Sequence, residues 1–367
     1  MGDPASYQAA GLYDPAAPGA GGRLALLEWL AARGITIAQM VRADREASLT
    51  GLAGDLALSP GARMTAAELG ARVGWPEDRV IGLSQAAGLR VRPHEKAYTE
   101  SDTLLFTAFD GGEALFGDGP IRRFTHTLGA SLATIAEAAV SLFQVNVEGP
   151  MRDEGRPELE LAQQNLRAVE SLGNVEALMQ LLFRSHMAAA TRRLREARPR
   201  ASVDTARLAV GFVDLVGFTP LASRMSPREL RDVVERFEDT AHDVVTAGGG
   251  RLVKVIGDAV MFITVDPAAA GDVALTLVER FTGDASVTPR GGIAVGEVLV
   301  RGGDYYGPIV NLAARVADLA VPSELLVTED VAAHGGAGLR FAPAGKRMVK
   351  GLDAPVSLLT VERAPAA

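Results

Sequence analysis

The chain is 367 residues long, carries a formal net charge of −8 and has no cysteine. That length suggests two domains rather than one core, and the acidic balance leaves no electrostatic footprint for general nucleic-acid or anionic-membrane binding. A chain without cysteine can build neither a disulfide frame nor a thiolate metal site.

In chain order, residues 1–22 are rich in Gly, Ala and Pro, lack the apolar stretch of a secretory signal and read as a disordered leader. Residues 23–198 read as a helical domain. Leu24, Leu27 and Leu30 recur at helical spacing before Gly34, and Ile37, Met40 and Val41 share the face of a second helix. Residues 64–89 read as two short helices joined at Gly74-Trp75-Pro76-Glu77, with Thr65 and Glu68 as a capping box at the first start. Their rhythm is that of a helix-turn-helix. A DNA reader concentrates Lys and Arg on one face, whereas the charges from Arg63 to Arg92 nearly cancel, so a helical pair for protein contacts is expected and no stable nucleic-acid partner.

Leu128 to Val147 carries one charge, Glu137, but Ser131, Thr134, Ser141, Gln144 and Asn146 interrupt it. A spanning helix needs about 20 predominantly apolar residues. The segment therefore reads as a buried or dimer-forming helix, with no membrane span and a cytoplasmic location expected. Leu159 to Arg195 reads as the last long helical tract, turning basic at Arg192-Arg193-Leu194-Arg195, where a helix C-terminus favours cations, and ended by Pro199. With residues 199–206 as linker, it is the candidate transmission element between the domains.

From Ala206 strands and helices alternate: a strand at 207–213, a helix from Ser226 with Pro227 at its first position, and strands at 251–256 and 259–265 joined by Gly257-Asp258. A helix from Asp266-Pro267, a strand at 291–300, a helix at 308–319 and strands at 324–328, 341–349 and 355–361 follow. This β-α-β-β-α-β order is the ferredoxin-like arrangement with additions, so an α+β domain over 207–363 is expected behind the all-α domain.

Asp214 lies at the end of the first, apolar strand and Asp258 at the tip of the hairpin, so neighbouring strands bring two carboxylates to one end of the sheet. Magnesium and manganese demand such oxygens. The loop Val216-Gly217-Phe218-Thr219 leads towards the next helix, whose free amides can receive phosphate, making Phe218 and Thr219 substrate-side candidates. Asn311 and Arg315 sit four apart, on one helical face.

The segments Gly211-Phe212-Val213-Asp214-Leu215-Val216-Gly217-Phe218-Thr219, Lys254-Val255-Ile256-Gly257-Asp258 and Asp304-Tyr305-Tyr306-Gly307-Pro308-Ile309-Val310-Asn311-Leu312-Ala313-Ala314-Arg315 resemble, in order and context, the class III nucleotidyl cyclase catalytic domain over about residues 204–363. The resemblance implies an adenylyl cyclase that converts ATP to cyclic AMP and pyrophosphate. It makes Asp214, Asp258 and the Leu215 carbonyl the ligands of two Mg2+ or Mn2+ ions. It also makes Lys254 and Asp304 the adenine readers, Asn311 and Arg315 the groups on ribose and transition state, and Lys350 a contact to the terminal phosphates. Active sites of this family lie between two catalytic domains, which implies a homodimer. The alternatives are a guanylyl cyclase, disfavoured by Lys254 and Asp304, and a silent signalling or DNA-binding protein that keeps the fold as a dimeriser, disfavoured by the intact metal and transition-state residues.

The Ala32-Arg33-Gly34-Ile35 and Glu68-Leu69-Gly70-Ala71-Arg72-Val73-Gly74 segments more loosely resemble the helical autoinhibitory module of actinobacterial pH-sensing adenylyl cyclases. That implies gating by the N-terminal domain, with a proton or a small effector as signal. His94, His126 and His186 are the titrating candidates.

Overall fold

The computed structural model describes residues 3–58, 60–61, 63–197, 204–218, 222–281, 287–336 and 338–365. It divides into two compact units, residues 1–184 and 185–367.

The first unit is helical: α1 (Pro4–Ala9), α2 (Ala20–Ala31), α3 (Ile37–Arg45), α4 (Leu52–Leu58), α5 (Ala66–Val73), α6 (Glu77–Ala86), α7 (Thr103–Phe116) and α8 (Asp118–Phe143). A π-helical turn, Gln144–Glu148, carries α8 on into α9 (Gly149–Asp153); α10 (Glu158–Glu170) follows, and α11 (Leu172–Ala197) begins in this unit and ends in the second. The described part of the first 22 residues corrects the expectation of a disordered leader. Asp3 caps α1 through Ser6 N, at 2.7 Å. Tyr7 is fully buried and Leu12 nearly so, in a cluster with Leu26, Leu27, Leu30 and Met40. Two well-placed large side chains anchor a segment whose average composition looks unstructured.

The expected capping box at Thr65 and Glu68 is present. Trp75, in the turn between α5 and α6, is buried edge-on against Phe106 and Phe109 of α7. The pair is thus part of its own unit's core. The tract read as one helix from Leu159 to Arg195 is two helices, broken at Ser171, whose Oγ donates to the Ala168 carbonyl at 2.6 Å. A hydroxyl that bonds its own backbone competes with the helical ladder. Pro199 and most of the expected linker lie outside the described residues. By length and composition, residues 118–153 form one helix long and apolar enough to cross a membrane.

The second unit is built on β1 (Thr205–Val216), β2 (Arg251–Ile256), β3 (Ala259–Thr264), β4 (Thr288–Arg301), β5 (Asp304–Tyr306), β6 (Leu325–Thr328), β7 (Leu339–Arg347) and β8 (Val356–Arg363). They form an eight-stranded sheet in the order β2-β3-β1-β4-β6-β8-β7, with β5 paired to β4. The β2-β3-β1-β4 part, antiparallel throughout, is the expected ferredoxin-like core. The helices of this unit are α12 (Pro227–Ala247), α13 (Pro267–Phe281), α14 (Pro308–Leu319) and α15 (Glu329–Ala333).

Ser226 and Glu229 close a capping box that starts α12. On one side of the sheet Val213, Phe262 and Ile293 pack with Phe237 of α12 and Val273 and Leu277 of α13. A second cluster joins Val210, Phe212 and Met261 to Ala313 and Ala317 of α14, and Ala197 at the end of α11 is buried in it. Strand β5 and helix α15 were not anticipated from sequence; runs of three and five residues are too short to display a period.

Candidate active site

Asp214 sits near the end of β1, opposite Ala259 of β3 and Arg290 of β4. Asp258 occupies the β2–β3 turn, and its carbonyl accepts a hydrogen bond from Leu215 N at 3.1 Å. The two acidic residues are therefore tied together through the backbone, as the sequence suggests. The Asp258 carboxyl is pushed above its ordinary value by burial first and by the Asp214 charge next, against the opposing pull of Arg290.

Arg290 is the residue beside Asp214 that sequence reading missed. Its Nη2 and Nε donate to Asp214 Oδ2 at 3.0 and 3.2 Å, and its Nη1 donates to the Asp318 carbonyl at 2.8 Å. It thereby links the acidic end of β1 to the last turn of α14. The signal available in sequence was slight, a single basic residue after Pro289 at the start of an apolar strand.

Lys254 of β2 donates from Nζ to Asp304 Oδ2 of β5 at 2.7 Å, across a register irregularity in β2. Burial raises the Asp304 carboxyl, but the hydrogen bonds from Lys254 and from Tyr305 N (2.8 Å) outweigh it. The group is held below its ordinary value. Asp304 is thus kept ionised, an acceptor with no proton to give.

Helix α14 lies very close to β4. A Cβ on Gly292 would fall 2.1 Å from Ala317 N, so only glycine admits the helix here. That contact sets the height of Asn311, which is exposed, and of Arg315, which is half-buried. Arg315 lies against the β7–β8 loop: Gly351 has φ +77, and a Cβ there would come within 2.9 Å of Arg315 Nη1. Lys350, next to Gly351, is exposed.

The side chain of Phe218 is partly buried and packs against the core. Thr219 lies outside the described residues. His94 sits in a loop at φ 63, His126 is exposed on α8 and His186 on α11.

The structure thus brings together Asp214 with Asp258, Lys254 with Asp304, and Arg315 with the Lys350 loop. Arg290 connects the first group to α14. Among the described residues, no hydrogen bond or ion pair joins the Lys254–Asp304 pair to either of the others. No set of three or more acidic or His side chains suited to a metal occurs among them either. Two carboxylates alone suit a hard cation that completes its shell with water and substrate phosphate, not a closed protein cage. The cost of Asp258 ionising beside Asp214 is the electrostatic deficit that a cation would offset.

The sequence model of the family described as the adenylate and guanylate cyclase catalytic domain matches residues 202–360. The Mycobacterium tuberculosis H37Rv protein Rv2212 is 32% identical over 368 residues, covering 99% of this chain and 95% of its own. An adenylate cyclase of Streptomyces coelicolor is 34% identical over 255 residues, 68% of this chain and 66% of that one. Among solved structures, the adenylyl cyclase CyaB of P. aeruginosa aligns with a TM-score of 0.40 at 23% identity, over 44% of this chain and 98% of CyaB.

Proposed function

The chain belongs to the adenylate and guanylate cyclase catalytic-domain family, and from that premise we propose that it converts ATP to 3′,5′-cyclic AMP and pyrophosphate at sites shared between two copies. In this reaction the ribose 3′-oxygen forms a bond to the α-phosphorus, the bond from that phosphorus to the bridging oxygen breaks, and the 3′-hydroxyl loses its proton. Positioning and charge stabilisation carry most of such a step.

The observation that carries the choice of ATP is the Lys254–Asp304 pair at 2.7 Å, with Asp304 held ionised. Adenine offers an acceptor at N1 and a donor at its 6-amino group, matching an ammonium and a carboxylate. Guanine offers the reverse, so its O6 would face Asp304 with no proton between them, and a polar site rejects such a mismatch strongly. Asn311 orients the ribose. Arg315 meets the charge that develops on the phosphates, and Lys350 meets the terminal ones.

Asp214, Asp258 and the Leu215 carbonyl would hold two Mg2+ or Mn2+ ions, which when bound lower the pKa of the ribose hydroxyl and neutralise phosphate charge. Before substrate arrives, Arg290 keeps the Asp214 carboxylate oriented and its charge balanced. Supporting the shared site is that, among the described residues, no hydrogen bond or ion pair joins the base-reading pair to the other two groups. The helical N-terminal unit gates the catalytic one through α11, whose end at Ala197 is buried against the catalytic sheet.

The test is the purified chain with manganese and either ATP or GTP, the cyclic product being quantified. Cyclic AMP from ATP is expected. Cyclic GMP formed as fast or faster would turn the reading to guanylyl cyclase, and no product from either would leave a silent dimeriser.

A further inference from the structure

We infer that Arg251 is a positioning residue for base selection: it fastens β5 to β2 through Tyr305, so that Asp304 meets Lys254. The inference rests on the base-reading role proposed above and deepens it.

Strand pairing alone does not bring the base-reading residues together. Strand β5 is three residues long and pairs with β4, and β3 and β1 lie between β4 and β2 in the sheet. The turn Gly302-Gly303, with φ 59 and φ 80, folds β5 back on β4 through three residue pairs. So short a two-stranded ladder is marginal by itself. Side chains have to hold it against β2.

A register shift in β2 aims two of them at it. Arg251 lies opposite Ile263, Leu252 opposite Phe262 and Lys254 opposite Met261, which leaves Val253 as an extra residue. In a regular strand, residues three apart point to opposite faces. The extra residue returns Lys254 to the face of Arg251, which is also the face of Ile263 and Met261. Tyr305 is 5% exposed and packs in the cluster of those two residues. Leu252 turns the other way, against the cluster of Phe262.

Arg251 and Lys254 thus take hold of two consecutive residues of β5. The Arg251 guanidinium carbon stands 5.8 Å from the centre of the Tyr305 ring, within reach of a cation–π attraction. Its Nη1 donates a long hydrogen bond, 3.4 Å, to the Tyr305 hydroxyl. Its Nη2 lies 3.8 Å from where a Cβ on Gly303 would stand, beside the turn itself. Tyr305 N donates to Asp304 Oδ1 at 2.8 Å, while Lys254 Nζ donates to Oδ2 at 2.7 Å. Both oxygens of the carboxylate are therefore held, one from each strand. Without Arg251 the β5 side of this arrangement loosens, and Asp304 can turn from the position in which it refuses guanine.

The test is the preference for ATP, measured as kcat/KM on ATP over kcat/KM on GTP, in the full chain with manganese. Arg251→Met is expected to lower this ratio about tenfold, through a higher KM for ATP with kcat within about threefold, because the lost contact acts on binding and not at the reacting phosphorus. Tyr305→Phe, which keeps every charge, should lower the ratio in the same direction. The double variant should fall no further than Arg251→Met, since both changes break one contact. Hydrogen exchange of residues 302–306 should quicken about tenfold in Arg251→Met while β1 keeps its protection. A KM raised equally for ATP and GTP would make Arg251 a general attractor of anions and overturn the inference. Losses that multiply in the double variant, or unaltered exchange at 302–306, would overturn it too. If the unmodified chain forms no cyclic AMP, the base-reading role falls and takes this inference with it. An active chain whose preference survives Arg251→Met sinks this inference alone.

Discussion

The Arg290 guanidinium and the Asp214 carboxylate form a two-bond ion pair, 3.0 and 3.2 Å, between the start of β4 and the end of β1. The arginine holds one carboxylate oxygen of Asp214 and donates from Nη1 to the Asp318 carbonyl of α14. It balances charge without occupying the neighbouring Asp258, whose carboxyl remains above its ordinary value.

Removing either carboxylate should abolish turnover. Asp214→Ala and Asp258→Ala are each expected to lose several orders of magnitude in kcat, since metal charge stabilisation contributes several kcal/mol, while the dimer persists by light scattering. Activity within about tenfold of wild type in either variant would remove that residue from the metal site.

If the site is shared, inactive Asp214→Ala mixed with inactive Arg315→Ala should regain activity, because a mixed dimer holds one site free of both changes. With subunit exchange verified by mass-tagged chains, a continued lack of product would place the whole site within one chain.

Gly351→Ala should lower kcat with little change in KM. The new Cβ would crowd Arg315 Nη1, and φ +77 disfavours any side chain. A displacement of about 1 Å in such a group costs on the order of a hundredfold. An unchanged kcat would mean that Arg315 works from another rotamer.

Metal binding should weaken with acid. Asp258 has its carboxyl raised by the fold, so its contribution to stability is present below the ordinary value of 3.8 and lost as pH rises through the raised one. A divalent ion needs the ionised form and competes with that proton. The rise in Tm given by manganese should therefore shrink as pH falls through the raised Asp258 value. Asp304 has the opposite sign: its contribution is present above the ordinary value and lost only as pH falls through its lowered one. It therefore stays charged where Asp258 takes up its proton. A manganese shift independent of pH would contradict the coupling of Asp258 to Asp214.

On the gating proposed above, acid activation comes from the helical unit. The pH–rate profile of the full chain is expected to rise towards about pH 6 where that of residues 200–367 does not, through protonation that favours one arrangement of the helical unit. Superimposable profiles at equal dimer concentration would leave the N-terminal unit as a passive dimeriser.

Local chemistry made much of this protein legible in advance. The capping box at Thr65–Glu68, the helix start at Ser226, the Gly257-Asp258 turn and helix 308–319 each depend on residues a few positions apart, and all appear where the sequence puts them. The same is true of Asp214 meeting Asp258, because adjacent strands joined by a short turn leave few registers. What no local pattern carried were contacts across long separations. Tyr7 is buried because Leu26, Leu27 and Met40 close over it, although its neighbours in sequence are small or polar. Arg290 finds Asp214 across 76 positions, and Lys254 finds Asp304 across 50. Residue types and periodicity specify elements and their faces. Which distant side chains share one desolvated place is decided only when the sheet closes and glycines such as Gly292 let α14 come near enough for charge to matter.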